Sequence, residues 1–349
     1  MRYVRNCWYV VAWGTDLEPE KPLAVSVLGE RIVIWQAADG NLSALEDRCV
    51  HRLAPLSLGR CEGANLRCMY HGFLYSRNGQ VIEIPGQEHV AETARVKSYP
   101  VILRHSWIWV WMGDEKAADP SLIPPAVGYD NSDFILGHGQ LDYAAEARLI
   151  NDNLLDFSHL TYVHANSFGA GEDFANSQPD ITRLERGIRF QRWTIGQPGP
   201  RATGPDDTTD NFMTYDFLLP GVLLMQSGSF DVGTAERLAF APPDFEDAKS
   251  GVTFTSQAVT PLTEKTSRYF FSWGPRRDHG DEKMRDALMQ LADVAFGEDK
   301  AIIEAQQRVI DDTPHPQILP TAHDRGIIFF NRLVERLCRE EQNAAEAAE

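Results

Sequence analysis

Two pairs of potential metal ligands lie close together in the first third of the chain. Cys49 and His51 form the first pair, and Cys68 and His71 form the second, with sixteen residues between the pairs. Each pair offers one thiolate and one imidazole, as a [2Fe–2S] cluster requires when two cysteines bind one iron and two histidines bind the other. Structural zinc sites usually place Cys beside Cys and His beside His, so zinc is the weaker alternative. We therefore expect these four residues to hold an iron–sulfur cluster.

A second group of polar residues indicates a mononuclear metal site. Asp156, His159 and His164 lie in the segment 151–164, whose pattern predicts a buried helix. Two neutral imidazoles and a carboxylate, with coordination positions left open, bind non-haem Fe(II) for O2 activation. Because His159 and His164 are five residues apart, they would point about 140° apart on an ideal helix. They could share one ion only if the helix ends or bulges between them; the alternative is two ordinary buried histidines.

Composition limits the class of protein. The chain has 349 residues, five cysteines and a formal net charge of −17. The length predicts two domains, and the charge argues against nucleic acid or anionic lipid as a partner. Outside the cluster pairs, Cys7, Cys61 and Cys338 are too few for a disulfide framework. The sequence shows no apolar run of signal-peptide or membrane-span length, so we expect a cytoplasmic protein with no membrane partner.

The elements that must position these residues follow from the sequence pattern. Runs of β-branched and aromatic residues, separated by turn signals, predict an all-β domain over residues 1–118 around the two ligand pairs. The proline-rich segment 119–125 marks the boundary to a second domain, residues 119–349. There, residues 212–226, 252–260 and 269–273 predict strands of an antiparallel sheet, residues 301–310 predict a helix, and residues 343–349 are expected to fray. The fold class is α+β.

Taken together, the two ligand groups give the chain a family resemblance. It resembles the oxygenase components of the Rieske non-haem iron oxygenases, in the group of vanillate O-demethylase, dicamba monooxygenase and toluenesulfonate methyl-monooxygenase. The segments that carry the resemblance are N-C-W-Y-V at 6–10, C-V-H-R at 49–52, C-M-Y-H-G at 68–72, W-I-W-V-W at 107–111 and D-N-L-L-D-F-S-H at 152–159. The resemblance implies an all-β Rieske [2Fe–2S] domain followed by a helix-grip catalytic domain, in which an antiparallel sheet and helices enclose the iron site.

The resemblance also implies roles for particular residues. Glu298-Asp299 resembles an E-D segment that precedes a helix in the family, so Asp299 is the expected third iron ligand. The alternatives are Asp293, Glu298 and Glu304. Asn153 and Asp156 belong to the helix motif and are expected to be catalytic. Asp156 would accept hydrogen bonds from His159 and from a cluster histidine of a neighbouring subunit, and would thereby connect the two metal sites within a head-to-tail homotrimer.

The implied activity is that of an oxygenase component. A separate flavin and iron–sulfur reductase would supply NAD(P)H-derived electrons. O2 would oxidise a methoxy or methyl group of an aromatic acid, and O-demethylation of a vanillate-like substrate is the first choice. Gln226, Gln257 and Arg268 are expected to line the substrate pocket. Ring hydroxylation or cis-dihydroxylation by the same metal pair is the alternative. A non-enzymatic Rieske electron carrier, which would not need the second metal site, is the alternative from another class.

Overall fold

The structure is a computed structural model that describes residues 3–165, 167, 171–198 and 207–347. The chain divides into two compact units, Met1–Ile123 with Thr260–Glu264, and Pro124–Val259 with Lys265–Glu349. The division at Ile123 falls inside the proline-rich segment 119–125. The exact limit at residue 118 stays a prediction.

Short strands in three sheets make up the first unit. The sheet orders are β1-β10-β9, β2-β3-β4 and β5-β6-β7-β8, for strands β1 (Trp8–Trp13), β2 (Leu23–Val27), β3 (Glu30–Gln36), β4 (Leu42–Glu46), β5 (Arg60–Glu62), β6 (Asn65–Arg67), β7 (Leu74–Tyr75), β8 (Val81–Glu83), β9 (Val101–Arg104) and β10 (Trp107–Trp111). Large side chains pack between neighbouring strands, as where Trp8 of β1 meets its cross-strand partner Trp111 of β10 edge to face at 5.5 Å.

A separate group of buried apolar side chains lies under the two loops that carry the predicted iron–sulfur ligands. It contains Trp35 of β3, Leu45 of β4 and Tyr75 of β7, and it also includes the side chains of Cys49 and Cys68. The two cysteines are therefore fixed by core packing, which tolerates little movement.

A seven-stranded sheet and several helices make up the second unit. The strand order is β11-β17-β16-β15-β14-β13-β12, for β11 (Gly137–Tyr143), β12 (Asp180–Leu184), β13 (Gly187–Pro198), β14 (Thr208–Leu218), β15 (Val222–Phe230), β16 (Ser250–Pro261) and β17 (Ser267–Pro275). The α-helices are α1 (Ala147–Leu155), α2 (Glu172–Asn176), α3 (Thr234–Arg237), α4 (Glu282–Asp312) and α5 (Arg325–Glu346). None of the helices in the described ranges combines the length and the hydropathy of a membrane span.

Aromatic contacts identify the helix-facing side of this sheet. Tyr269 and Phe271 of β17 lie 5.2 and 4.9 Å from Phe296 of α4. Phe217 of β14 lies 4.8 Å from Phe330 of α5. Because side chains alternate between the two faces of a strand, these residues show which face of the sheet each neighbouring side chain lies on.

The predicted α+β class, with a Rieske domain before a sheet-and-helix domain, is confirmed, but several element limits differ. Residues 212–226 are not one strand, because they span β14, a turn at 219–221 and β15. The alternation continues on both sides of that turn, so the pattern alone did not show the hairpin. The predicted helix at 301–310 is the second half of α4, which begins at Glu282 with the Asp281 carboxylate accepting from the Met284 N–H at 3.0 Å.

The expected fraying of residues 343–349 is wrong as far as Glu346, where α5 ends. Phe330 and Cys338 are buried at helical spacing and hold α5 against the unit. The last two residues lie outside the described ranges.

Candidate metal centres

The two cysteine–histidine pairs lie in tight loops of the first unit. Cys49 follows β4, and its N–H donates to the carbonyl of Ala54 at 2.8 Å. Cys68 follows β6, and its N–H donates to the carbonyl of Phe73 at 2.9 Å. Gly72 has φ +77, and a Cβ there would lie 2.7 Å from Pro85 Cγ. Only glycine meets both constraints, which explains the glycine that follows His71.

Burial separates the two kinds of ligand. Cys49 and Cys68 are 2% and 1% exposed, whereas His51 and His71 are exposed and their rings lie 4.5 Å apart, centroid to centroid. Two thiols in the core and two adjacent imidazoles at the surface fit a [2Fe–2S] cluster with its histidine-bound iron towards solvent. The loops therefore bring together the four residues expected from the sequence.

Hydrogen-bond donors point at both sulfur atoms. The Tyr75 hydroxyl donates to Cys49 Sγ at 3.1 Å and accepts from the Val50 N–H at 3.0 Å. Burial, and then the bond to Cys49, raise the pKa of Tyr75, so its hydroxyl keeps its proton. Burial also raises the pKa of Cys68, although the backbone N–H groups of Tyr70 and His71 act to lower it. Sequence spacing did not single out Tyr75, because its role depends on the packing of β7 beneath the first loop.

The second ligand group lies where a helix stops. α1 ends at Leu155, Asp156 has extended backbone angles (φ −131, ψ 96), and a single 3₁₀ turn covers Phe157–Thr161. The Asp156 carboxylate accepts from the Ser158 N–H at 2.8 Å and caps that turn. The helix is thus interrupted before His159, and the turn ends before His164, as the five-residue spacing required.

Aromatic stacking holds this turn against the sheet. Phe157 stacks on Tyr215 of β14 at 4.7 Å, and Tyr215 stacks on Phe190 of β13 at 4.5 Å. The stack fixes the backbone from which His159 projects.

His159, His164 and Asp299 converge on one point. His159 Nε2 lies 3.5 Å from Asp299 Oδ1, and His164 Nε2 lies 3.3 Å from the same oxygen. One ligand atom from each residue lies within 4.8 Å of the others. A central ion with bonds of about 2 Å can contact all three atoms, and the donor set is that of non-haem Fe(II) sites. The residues present therefore fit a mononuclear iron.

Hydrogen bonds fix which nitrogen of each histidine faces the ion. His159 Nδ1 lies 2.6 Å from the backbone carbonyl oxygen of Asp156, and His164 Nδ1 lies 2.8 Å from Glu298 Oε2. Both oxygens can only accept, so Nδ1 carries the hydrogen in each ring and Nε2 keeps its lone pair. The family resemblance predicted a bond from His159 to the Asp156 carboxylate; in the structure the partner is the backbone carbonyl of Asp156, because the side chain caps the following turn.

Asn153 connects two of these ligands. Its amide Nδ2 donates to Asp299 Oδ1 at 3.1 Å and lies 3.3 Å from His159 Nε2. Residues 153 and 299 come from α1 and from the middle of α4, so packing of these helices sets the position of the carboxylate. Asn153 thus lies beside the metal position.

Asp299 is the carboxylate that faces both Nε2 atoms, and the alternatives lie elsewhere. Asp293 is exposed on α4. Glu304 Oε1 accepts from the Ala144 N–H at 2.9 Å. Glu298 contacts the opposite nitrogen of His164. Burial acts to lower the pKa of His164, but the hydrogen bonds and charges of Asp299 and Glu298 outweigh it and raise that pKa.

The three expected pocket residues do not share one face. Gln257 of β16 pairs with Leu223 of β15, which pairs with Phe217, so Gln257 lies on the helix-facing side. Its side chain is buried, Nε2 donates to Thr255 Oγ1 at 3.2 Å, and Oε1 has no hydrogen-bond partner among the described residues.

Gln226 and Arg268 lie on the opposite side of the sheet. Gln226 pairs with Phe254. Both are an odd number of residues away from the pair Leu223 and Gln257, so their side chains point to the opposite face. Arg268 precedes Tyr269 on β17 and forms a bidentate ion pair with Asp142, at 2.6 and 2.9 Å. The alternation of side chains therefore places both residues away from the helix-facing side, and we do not retain them as pocket residues.

Comparisons with known proteins agree with this architecture. Residues 7–100 match the Rieske [2Fe-2S] domain, and residues 143–340 match the vanillate O-demethylase oxygenase C-terminal domain. The toluene-4-sulfonate monooxygenase system iron–sulfur subunit TsaM1 of Comamonas testosteroni is 34% identical over 347 residues, covering 97% of this chain and 98% of the relative. The vanillate O-demethylase oxygenase subunit of a Pseudomonas strain is 32% identical over 358 residues, covering 99% and 98%.

A solved structure extends the comparison to the metal. Dicamba monooxygenase with non-heme iron and dicamba superposes with a TM-score of 0.79 at 25% identity, covering 99% of this chain and 100% of that one. The catalytic-domain match leaves no support for a simple electron carrier. The chain therefore belongs to the Rieske non-haem iron oxygenases, in the group of vanillate O-demethylase, toluenesulfonate and dicamba monooxygenase oxygenase components, and is a monooxygenase component with a [2Fe–2S] cluster and a mononuclear non-haem iron.

Proposed function

We propose that this oxygenase component oxidises a methoxy or methyl carbon of an aromatic acid, and that its preferred reaction is the O-demethylation of a vanillate-like substrate. One atom of O2 enters a C–H bond of the methyl group, and two electrons and two protons reduce the other atom to water. The resulting hemiacetal then breaks into a phenol and formaldehyde. The observation that carries the proposal is the His159, His164 and Asp299 site in a chain related over nearly its whole length to two such enzymes.

Two separate sets of residues would hold the two metal groups. Cys49, His51, Cys68 and His71 would hold the cluster, and His159, His164 and Asp299 would hold the iron. When bound, these groups supply single electrons and O2 activation. Asn153 donates a hydrogen bond to the Asp299 carboxylate at 3.1 Å and so keeps Oδ1 directed at the two histidines.

We infer that Gln257 belongs to the substrate pocket and favours a substrate that carries a hydroxyl group. Its buried Oε1 has no hydrogen-bond partner in the described part of the chain, and an unsatisfied buried acceptor costs about 1–3 kcal/mol. A phenolic hydroxyl beside the methoxy group would donate to that oxygen. A methyl-substituted sulfonate offers no such donor, which is why we place O-demethylation before methyl oxidation.

A substrate screen tests this proposal. Methoxy- and methyl-substituted benzoates and benzenesulfonates, with and without a neighbouring hydroxyl, would be incubated with the oxygenase, a supplied reductase and NADH. We expect formaldehyde release to be fastest with 4-hydroxy-3-methoxybenzoate. The preference is the ratio of kcat/KM for the hydroxylated substrate to that for the substrate without the hydroxyl. Gln257→Leu should lower this ratio by at least about tenfold, because an unpaired polar group in a pocket usually costs that much. An unchanged preference in Gln257→Leu would remove Gln257 from the pocket.

Ring oxidation by the same metal pair is the second candidate, and oxygen labelling separates it from demethylation. A cis-dihydroxylated product would contain both atoms of one labelled O2 molecule. Formaldehyde release with one labelled atom in the organic products supports the first proposal.

We further propose that the oxygenase works as a head-to-tail homotrimer. His51 and His71 are exposed, and large apolar side chains in or next to their loops are exposed as well: Leu53, Leu58, Met69 and Tyr70. Such a patch on a soluble domain is typical of a docking surface. Asp156 is the proposed contact on the neighbouring subunit, since its carboxylate has an oxygen beyond the one that caps the Ser158 N–H.

Two further parts of the proposal come from the family. A separate flavin and iron–sulfur reductase would supply the electrons. A cytoplasmic location also stays a prediction. Cell fractionation of the native host, followed by activity assay with the purified reductase, tests both.

A further inference from the structure

Two neighbouring carboxylates of α4 lie next to the two ring nitrogens of His164. Nε2 of the ring lies 3.3 Å from Asp299 Oδ1, and Nδ1 lies 2.8 Å from Glu298 Oε2. Successive helix residues point about 100° apart, so two neighbouring carboxylates can reach opposite edges of one imidazole. The side chain of His164 is 1% exposed, so Nδ1 has Glu298 and not solvent as its partner.

The two iron-facing histidines therefore have different acceptors behind them. His159 donates from Nδ1 to a neutral backbone carbonyl, whereas His164 donates to a carboxylate. A hydrogen bond to a charged acceptor is about twice as strong as one to a neutral acceptor. A carboxylate behind an imidazole also makes the opposite nitrogen a better metal ligand.

Ser167 completes the arrangement on the outer side. Its hydroxyl donates to Glu298 Oε2 at 2.7 Å, the same oxygen that accepts from His164. The Glu298 side chain is 28% exposed, so it has room to turn towards solvent. The Ser167 hydroxyl restrains it in the position that meets Nδ1.

We propose that Glu298 is a positioning residue that fixes the tautomer and the ring orientation of His164 for a divalent metal ion, and that Ser167 holds Glu298 in place. The inference rests on the proposed ligand set of His159, His164 and Asp299. It assigns to Glu298 a role distinct from that of its neighbour Asp299: one carboxylate faces the ion, and the other faces the ring that binds it.

Metal titration of matched variants tests the proposal. The full-length protein, with its cluster intact, would be stripped of mononuclear metal and titrated with Co(II), whose visible bands report ligand geometry. We expect Glu298→Ala to weaken Co(II) binding by about 10–100-fold and to shift the bands. Glu298→Gln should stay within a few-fold of the parent, because its amide oxygen can still accept from Nδ1. Asp293→Ala, which removes an exposed carboxylate from the same helix, should change neither quantity.

Ser167 provides an independent arm. Ser167→Ala should weaken binding by about two- to fivefold, and it should add no further loss in the Glu298→Ala background, because contacting residues are coupled. Far-UV circular dichroism and thermal unfolding check that the second unit of every variant is folded, and the visible absorbance of the cluster checks the first unit.

Two outcomes overturn the proposal. Parental Co(II) affinity and bands in Glu298→Ala would remove Glu298 from any role at the site. Loss of Co(II) in Glu298→Gln as complete as in Asp299→Ala would make Glu298 a direct ligand. Retention of Co(II) in His164→Ala would instead refute the ligand set itself, so the two failures can be told apart.

Discussion

His51 and His71 lie at the surface while Cys49 and Cys68 lie in the core, and this difference gives the two ends of the cluster site different tasks. The buried thiols anchor the cluster and sit among hydrogen-bond donors. The exposed imidazoles are the groups that a partner can reach. At the mononuclear site, the atom behind each ring matters as much as the ligand atom, because it decides which nitrogen is free to bind.

Removing the Tyr75 hydroxyl should lower the reduction potential of the cluster. That hydroxyl donates to Cys49 Sγ at 3.1 Å, and a donor to sulfur favours the more negative, reduced cluster. A loss on the order of 1 kcal/mol corresponds to about 40 mV for one electron. Potentiometric titration of Tyr75→Phe measures the shift. Tyr99→Phe, whose buried hydroxyl bonds to Glu30 instead, is the matched control, and equal potentials in parent and Tyr75→Phe would contradict the expectation.

Asp156→Asn should abolish turnover but keep both metal groups. The hydrogen bond to His159 comes from the backbone carbonyl of residue 156, so the substitution leaves the iron site intact. Asparagine also caps a helical turn. The lost charge is the one proposed to meet the neighbouring subunit. Iron and sulfide content, together with oxygenation rate, test this; parental turnover would remove Asp156 as the bridge.

Among the elements, α1 and α4 decide the catalytic geometry. α1 contributes Asn153 before it ends, and the extended residue and 3₁₀ turn after it aim His159 back towards α4. α4 contributes Asp299 from its middle, where Asp299 lies on the buried face of the helix with Phe296 and Ile303. The site therefore depends on the place where α1 stops and on which face of α4 is buried.

Asp152 of α1 should make stability depend on pH. Burial raises the pKa of Asp152 to about 6, although Arg148 and a hydrogen bond from Asn331 act to lower it. The protonated form is favoured in the native state, so this contribution is complete below about pH 4 and is lost as pH rises through about 6. Asp152→Asn cannot ionise, and its stability relative to the parent should rise by about 1–3 kcal/mol between pH 4.5 and 7.5.

Urea unfolding of parent and Asp152→Asn at the two pH values measures this difference. Asp293→Asn makes the same change of charge at an exposed position of α4 and should show no such pH dependence. A constant difference between Asp152→Asn and the parent across this range would mean that the buried carboxylate ionises normally.

At the scale of the whole molecule, each compact unit carries one complete set of metal ligands. The cluster residues all belong to the first unit, and the iron residues all belong to the second. Loss of one metal group should therefore spare the other. Cys68→Ser should lose the cluster absorbance and keep mononuclear iron, whereas His159→Ala should do the reverse; metal analysis with visible spectroscopy decides. Loss of both metals from either variant would contradict this independence.

Complementation tests whether electrons pass between subunits. Cys68→Ser and Asp299→Ala chains, each with a different tag, would be co-expressed and purified through both tags. Each alone should be inactive. In a head-to-tail trimer, every mixed ring contains one junction of an intact cluster with an intact iron site, so activity per chain should recover to about one third of the parent. No recovery in a verified mixed assembly would place the transfer within one chain.

The sequence by itself determined the chemistry, because ligand type and local spacing are written directly in the chain. The cysteine–histidine pairs, the His159 and His164 spacing and the family resemblance led to the cluster, the iron and the class of reaction. They also required a break between the two histidines, which the structure contains.

The tertiary structure decided the contacts that join residues far apart in the chain. It chose Asp299 over Glu298, because a helix turns these neighbours about 100° apart and only packing sets which one faces the histidines. It placed Gln257 on the helix-facing side of the sheet and Gln226 and Arg268 on the other, since pairing register cannot be read from one strand alone. It also brought Tyr75 under Cys49, a contact between residues 26 positions apart that spacing gives no reason to expect.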